Sequence, residues 1–479
     1  MGMNRKNTTA LVWLRQDLRL HDNPALHHAC SHYEQVVPVY VFDDTTPKSW
    51  KMGGAQCWWL HQSLTELKVS LEGISLPLVI TKGKADEVLE KLIQSTGAAG
   101  VFWNRCYEPY AIARDATLKE TLLEKGLEAK SFNGSLLFEP WEIKNKQGSW
   151  FKVFTPFWKH CLTLDPGEAL PAPKPKAKQT LVPASLAVAN LNLLPTKPDW
   201  AGGMRKAWKP GERNARKQLE VFIDEAVAAY GEQRDVPAVR GTSRLSPYLH
   251  MGEISPRQIW HAIRARAEGR GADKYLAEIG WREFSYHLLY HFPELPQKPF
   301  NSRFSDFPWE DNPKLLKAWQ RGNTGYPIVD AGMRELWETG WMHNRVRMIV
   351  ASFLTKHLLI PWQEGAAWFW DTLLDADLAS NSASWQWVAG SGADAAPYFR
   401  IFNPILQGKK FDPEGEYVRR YVPELAKLPV KHIHAPWEAP EDVLKQAGIV
   451  LGKNYPKPVV GHDFARGRAL AAFKSLGKN

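Results

Sequence analysis

Over roughly the first 130 residues, short apolar runs alternate with amphipathic stretches, the pattern of a parallel sheet covered by helices. The runs predict strands over 10–14, 36–42, 76–81, 100–103 and 128–132, with helices over 54–70, 85–95 and 111–125. A doubly wound α/β domain follows. Between 165 and 200 the pattern stops: Pro166, Pro171, Pro173, Pro175, Pro183, Pro195 and Pro198 stand among Lys and Ala. Proline at that density continues neither helices nor central strands. From 211 onward apolar residues recur at helical spacing, giving helices over 212–230, 256–268, 272–291, 313–321, 331–339, 345–359 and 366–374. The expected organisation is an α/β domain over 1–135, a long connector over 136–210 and an all-α domain over 211–479.

Within the helical part, 324–404 departs from an ordinary core pattern. Asn344, Arg347 and Met348 stand at i, i+3 and i+4, so one helix face offers an amide, a cation and a thioether together. Asp375, Asp377, Asn381, Ser382 and Ser384 read as a short polar loop before an aromatic segment. Two residues apart on a helix is roughly 200°, so Trp385 and Trp387 face different neighbours. Upstream, GTSRLSPYLHMGEISP gathers Thr242, Ser243, Arg244 and Ser246, a set that either caps a helix or holds a phosphate. In EIGWREF, Glu278, Trp281 and Arg282 read as an i, i+4 ion pair beside a buried ring, or as part of a site.

Composition narrows the classes. The 479 residues are 44% hydrophobic, and no apolar run approaches the ~20 residues of a membrane helix. The start MGMNRKNTTA lacks a signal-peptide core, so cytoplasmic residence is expected. Cys30, Cys57, Cys106 and Cys161 have neither CxxC spacing nor matching histidine pairs, which argues against zinc and a disulfide framework. A net charge of +10 favours an anionic partner. No GxGxxG follows the first strand and no GxxxxGK[ST] occurs, so the α/β part carries no dinucleotide or ATP signature. Packing accounts for most of the 22 tryptophans.

The motifs TGYPIVDAGMR, GWMHNRVRM, DADLASNSASWQW and GADAAPYFRIFNP, with LVWLRQDLRLHDNPAL at the start and KVFTPF at 152–157, resemble the photolyase/cryptochrome family. The likeness is strongest to the bacterial class I cyclobutane pyrimidine dimer photolyases and runs over nearly the whole chain. It implies the photolyase/cryptochrome fold, an α/β antenna-binding domain joined to an all-α FAD-binding domain. It further implies a light-driven lyase, a monomer in solution being the expected state, that binds and flips cyclobutane pyrimidine dimers in DNA and splits them with reduced FAD.

By this resemblance Thr242, Ser243, Arg244, Leu245 and Ser246 grip the FAD pyrophosphate, and Tyr230, Arg282 and Trp341 are further cofactor contacts. Arg347 pairs with Asp375 beside the isoalloxazine, with Asp377 and Asn381 nearby, and Asn344 faces flavin N5. Plant cryptochromes carry Asp there and (6-4) photolyases carry paired histidines where this chain has His343, Asn344 and Met348. Repair of cyclobutane dimers is therefore favoured over a cryptochrome photoreceptor, a (6-4) photolyase or a generic flavin oxidoreductase, and the chain's end at Asn479 is read the same way. Glu278, Asn344 and Met348 are the expected catalytic residues, Glu278 sharing a proton with the reacting carbonyl. Trp281, Met348 and Trp387 line the dimer pocket. Trp309, Trp362 and Trp385 match a three-tryptophan relay, distal to proximal. Arg345, Arg400, Lys409 and Lys410 are expected at DNA phosphates. The antenna stays open between methenyltetrahydrofolate, deazaflavin and none: Tyr110 and Ala111 depart from the folate pattern, and Cys106 departs from the deazaflavin one.

Overall fold

A computed structural model describes residues 8–395 and 399–476. Ala396, Pro397 and Tyr398 of the GADAAPYFRIFNP motif, and the chain end at Asn479, lie outside the described residues. The rest forms two compact units. One takes 8–199, Trp208–Ala228 and Ser243–Pro293; the other takes Trp200–Ala207, Ala229–Thr242 and the described residues from Glu294 on.

The first unit is built on five parallel strands, β1 (Thr9–Leu14), β2 (Gln35–Phe42), β3 (Val79–Lys82), β4 (Gly100–Asn104) and β5 (Glu128–Phe132), in the order β3-β2-β1-β4-β5. Every residue of β1 is buried, the signature of a strand covered on both faces. Trp13 registers against Val39 on one side and Trp103 on the other. Around the sheet lie α1 (Pro24–His32), α2 (Gly54–Glu72), α3 (Ala85–Thr96) and α4 (Pro109–Glu124). Leu89 of α3 and Leu118 and Leu122 of α4 join Leu11, Val37, Val39, Val101 and Trp103 in one core. The sequence reading omits α1, although its signals are present: Asn23 accepts from Leu26 N, Pro24 is the first helical residue, and Ala25, Leu26, Ala29 and Cys30 are buried.

After α5 (Phe154–Cys161) the proline-rich stretch runs along the sheet edge. Leu186 N donates to Ile80 O at 2.8 Å, and Ile80 N donates to Ser185 Oγ at 2.9 Å. These bonds cover the open edge of β3, which would otherwise invite pairing with another chain. The chain then enters the second unit for α6 (Gly202–Ala207), returns for α7 (Glu212–Glu225), leaves for α8 (Tyr230–Gln233), and returns for α9 (Ser246–His250), α10 (Pro256–Arg266) and α11 (Arg270–His291). The helix predicted over 212–230 ends early for a packing reason. Residues 227–228 turn against α11, where a Cβ at Gly271 would collide with the Val227 and Ala228 carbonyls.

The second unit is helical: α12 (Pro313–Gln320), α13 (Pro327–Thr339), α14 (Asn344–Ser352), α15 (Trp362–Thr372), α16 (Leu378–Ala389), α17 (Pro404–Phe411), α18 (Glu416–Tyr421), α19 (Glu441–Gln446) and α20 (His462–Ser475). Buried carboxyls brace it. Asp330 accepts from Thr324 N, Thr324 Oγ1, Gly325 N and the Tyr455 hydroxyl. Glu335 accepts from His343 N and the Tyr417 hydroxyl. Two predicted elements change. The 345–359 helix stops at Ser352 and continues as one π turn, Phe353–His357. The polar loop expected through Ser384 is helical from Leu378, because Asp377 accepts from Ser380 N at 2.7 Å and Ala379, Ser382 and Trp385 turn inward. Burial outweighs the weak helix propensity of Ser and Asn.

Candidate functional site

In the first unit Ser243, Arg244 and Leu245 lead into α9 as irregular backbone. Arg244 has φ +53°, a left-handed conformation uncommon outside glycine that needs support from its surroundings. That support comes from Gln218 Nε2, which donates to Ser243 O at 2.9 Å, and from Trp208, whose ring lies 5.9 Å from the Arg244 guanidinium. Leu245 is buried, Ser243 and Ser246 are half-buried, and no side chain caps α9. Thr242 and Tyr230 belong to the second unit, where the Tyr230 ring lies 5.3 Å from the Arg234 guanidinium.

On α11, Glu278, Trp281 and Arg282 are all half-buried. Arg282 donates to Ser135 O at 2.8 Å and lies over the Tyr286 ring. The Trp281 ring stacks on Phe154 of α5. The residue that sequence reasoning passed over here is Glu283, which is fully buried and accepts from Leu137 N at 2.8 Å. Burial pushes its carboxyl from 4.5 up to about 7, against the pull of Arg282 and the amide donors. The folded state thus holds a proton that the unfolded chain releases. The associated stability is full below 4.5 and is lost as pH rises through about 7. Glu283→Gln removes this titration, so its melting temperature relative to the parent protein should improve between about pH 5 and pH 8. A pH-independent difference in thermal melts would reject the assignment.

In the second unit, α14 carries two arginines that point apart. Arg347 donates to both Asp375 oxygens, at 3.1 and 2.8 Å, and through Nε to Met342 O at 2.7 Å. Its guanidinium lies 5.9 Å from the buried Trp341 ring. Arg345 pairs with Asp235 at 2.9 Å, lies over the Phe411 ring and meets Met348 Sδ at 3.7 Å. The cap of α14 is His343, whose ring accepts from Arg345 N, and Asn344 is the exposed first helical residue. On α16, Asn381 donates to Ala366 O at 3.1 Å. Asp375 and Asp377 are both buried.

Trp385 and Trp387 do face different surroundings. Trp385 is buried, edge-on to Phe369 and Trp319, and its indole N–H has no hydrogen-bond partner among the described residues. The ring lies hard against α15, since a Cβ at Gly365 would strike it. Trp362 opens α15, and the segment bearing half-buried Trp309 is tied to the one before Trp362 by Glu310 N donating to Leu359 O at 2.8 Å. Among the described residues none of these three rings stacks directly on another; Trp309 packs on Phe307 instead. Trp387 is half-buried and donates to Asp394 O at 3.1 Å. It lines a small open pocket with exposed Arg400, Ser352, Lys356 and Phe402. Burial lowers the Lys356 ammonium well below its ordinary value, and Nζ donates to Ala389 O at 2.7 Å. Lys409 and Lys410 are exposed on the last turn of α17.

The family comparison gives this arrangement a context. Residues 10–176 match the DNA photolyase family model, and residues 275–475 match the FAD binding domain of DNA photolyase. The deoxyribodipyrimidine photo-lyase of Agrobacterium fabrum is 52% identical over 99% of this chain and 100% of its own. The chain belongs to the photolyase/cryptochrome family. Both branches are represented among the relatives of this photolyase-family protein: Arabidopsis thaliana cryptochrome-2 is 43% identical over 97% of this chain and 78% of its own. Among solved structures, a bacterial class III photolyase from Agrobacterium tumefaciens matches with a TM-score of 0.95 and 52% identity over 99% of each chain. A Synechocystis cryptochrome matches at 0.88 and 30%, over 98% of this chain and 100% of its own.

FAD is the cofactor of this family member, and the residues present suit it. The two half-buried hydroxyls and the guanidinium at 243–246 are groups of the kind that can hold a phosphate. The Arg347–Asp375 pair, and the Trp385 indole N–H that has no partner among the described residues, are polar groups of the kind a flavin ring system engages. In the sheet, connections reverse between β1 and β4, the switch point where open α/β sheets usually take ligands. Here the protein's own side chains stand at that point: Arg15 pairs with Asp115 at 2.6 Å, and the Arg15 and Arg114 guanidinium groups lie over the Trp13 ring at 4.3 and 4.6 Å.

Proposed function

We propose that this protein is a deoxyribodipyrimidine photo-lyase that binds cyclobutane pyrimidine dimers in DNA, extrudes the joined bases and splits them in blue light. The observation that carries the reading is the full-length, 52% identical relationship to an enzyme of that name. When bound, reduced FAD supplies the light-excited electron and receives it back. The chain's own residues bind and orient. Ser243, Arg244 and Ser246 hold the pyrophosphate, with Thr242, Leu245 and Tyr230 beside them, while Arg347, Asp375, Asp377 and Asn381 orient the ring system. Asn344 is the amide assigned to N5. Glu278 shares a proton with the carbonyl oxygen of the bound dimer.

Photolyases are among the enzymes already known to flip bases, an extrusion that costs a few kcal/mol and least for damaged pairs. Stacking on an aromatic ring returns roughly 1–3 kcal/mol per base. Trp281 and Trp387, both half-buried, are assigned that stacking. A dimer that stacks poorly in the duplex is thereby selected over intact DNA.

The test is repair itself. Reduced protein is mixed with an oligonucleotide holding one thymine cyclobutane dimer, illuminated, and thymine absorbance followed against a dark control. Recovery only in light is expected. Its absence with reduced FAD bound would favour the cryptochrome reading, which the 43% identical cryptochrome-2 keeps in view. On subclass, the motifs suggest class I, whereas the 52% identical solved relative is a class III photolyase and supports class III.

Arg400 beside Trp387, together with Lys409 and Lys410, supports phosphate contact at the dimer. Arg345 is engaged by Asp235, so its phosphate contact would require exchanging that partner. DNA affinity should therefore fall with salt, and Arg400→Ala should lower the slope of log K against log salt by about one. An unchanged slope in a binding titration would remove Arg400 from the DNA contact set. Action as a monomer in the cytoplasm completes the reading. Among the described residues no helix is long and apolar enough to cross a membrane.

A further inference from the structure

The KVFTPF segment has no role in the account above, yet its Phe154 makes a specific contact. Phe154 opens α5, is 9% exposed, and lies on the Trp281 ring at a centroid distance of 3.8 Å, 9° from parallel. Phe284, on the same helix as Trp281, meets both rings edge-on, at 6.0 Å and 5.9 Å. One turn along α5, Trp158 lies nearly parallel to Phe154, 11° apart. Trp158 in turn rests on Gly280, where a Cβ would strike its indole. The residue immediately before Trp281 is thus bare, and α5 closes on α11 far enough for Phe154 to reach the indole face. A free Trp side chain samples several rotamers, and holding it in one before a ligand arrives removes that entropy loss from binding.

We infer that Phe154 is a positioning residue for damaged-base recognition: it fixes the plane of Trp281, so that the half-buried indole is presented ready to stack on the extruded dimer. The inference rests on the stacking role proposed for Trp281. Phe154→Leu keeps an apolar side chain of similar bulk and loses the flat face, whereas Phe154→Tyr keeps the face. Dissociation constants of the FAD-loaded protein are measured in the dark for an oligonucleotide with one thymine cyclobutane dimer and for its undamaged counterpart. An aromatic pair contributes about 0.5–1.5 kcal/mol, so Phe154→Leu should weaken dimer binding about two- to twelvefold. Affinity for undamaged DNA, FAD content and light-driven FAD reduction should stay at parent levels, and Phe154→Tyr should bind like the parent. In a Trp281→Ala background, Phe154→Leu should add nothing. Parent-like dimer binding by Phe154→Leu, or the same loss in the Trp281→Ala background, overturns the inference. If Trp281→Ala alone leaves dimer affinity intact, the stacking role itself fails, and the inference with it. Should Phe154→Leu not fold, Phe154→Met is read in the same way.

Discussion

Arg347→Ala is expected to yield protein that purifies without FAD, the largest effect of any single change in the proposed cofactor site. Arg347 meets both oxygens of Asp375 and the Met342 backbone carbonyl just ahead of its own helix. The Asp375 side chain is only 4% exposed. Truncation leaves that carboxylate buried without its cation, which typically costs about 3–5 kcal/mol. The lost stability and the lost cofactor can be separated. Removing both charges together, as Arg347→Met with Asp375→Asn, eliminates the unpaired buried carboxylate and should recover most of the melting temperature. FAD should not return with it, because the polar groups proposed to orient the flavin are gone. The flavin absorption band and the thermal melt are read on the same preparations. A single variant holding FAD at parent stoichiometry would make the pair a brace of the fold only.

What the sequence reveals, and what it conceals, follows the range of the interactions. β1 is legible because a strand covered on both faces must be apolar throughout, and TALVWL is. The proline-rich stretch is legible as irregular for an equally local reason, but its bonds to the edge strand at Ile80 are set by the fold. Asp377 is a strong local cap, yet Ser380, Asn381 and Ser384 suggest loop, and only the packing of Ala379, Ser382 and Trp385 makes them helix. Functional residues divide similarly. Arg347 and Asp375, 28 positions apart, are paired only by the family likeness, since nothing in their spacing joins them. The pairing of Arg345 with Asp235 spans 110 positions and has no sequence signal at all. Glu283 does have one: a carboxyl group followed by FSYHLL, within a run that buries every side chain, must find donors.

Trp362→Phe is expected to reduce light-driven reduction of oxidised FAD to a small residue while leaving dimer repair by chemically reduced protein at the parent rate. Trp is far more readily oxidised than Phe, and two short electron transfers outpace a single long one, so the middle ring of a relay is where one substitution costs most. The structure ties the three positions through backbone and packing. Trp362 begins α15, Gly365 of the same helix lets Trp385 lie against it, and the Glu310 to Leu359 bond draws the Trp309 segment alongside. Because Trp362 is 2% exposed, Phe leaves a void, but a planar ring still fills most of the space and the loss stays below the roughly 3–5 kcal/mol of a Trp→Ala change. Trp309→Phe should slow photoreduction less, since half-buried Trp309 is the distal member of the proposed relay and its loss would leave the other two members in place. Transient absorption of the flavin under an external thiol donor separates the cases. Parent-rate photoreduction in Trp362→Phe would dismiss the relay. Loss of repair by the chemically reduced variant would instead show that Trp362 serves the fold or the dimer site, and that electron supply is not its main task.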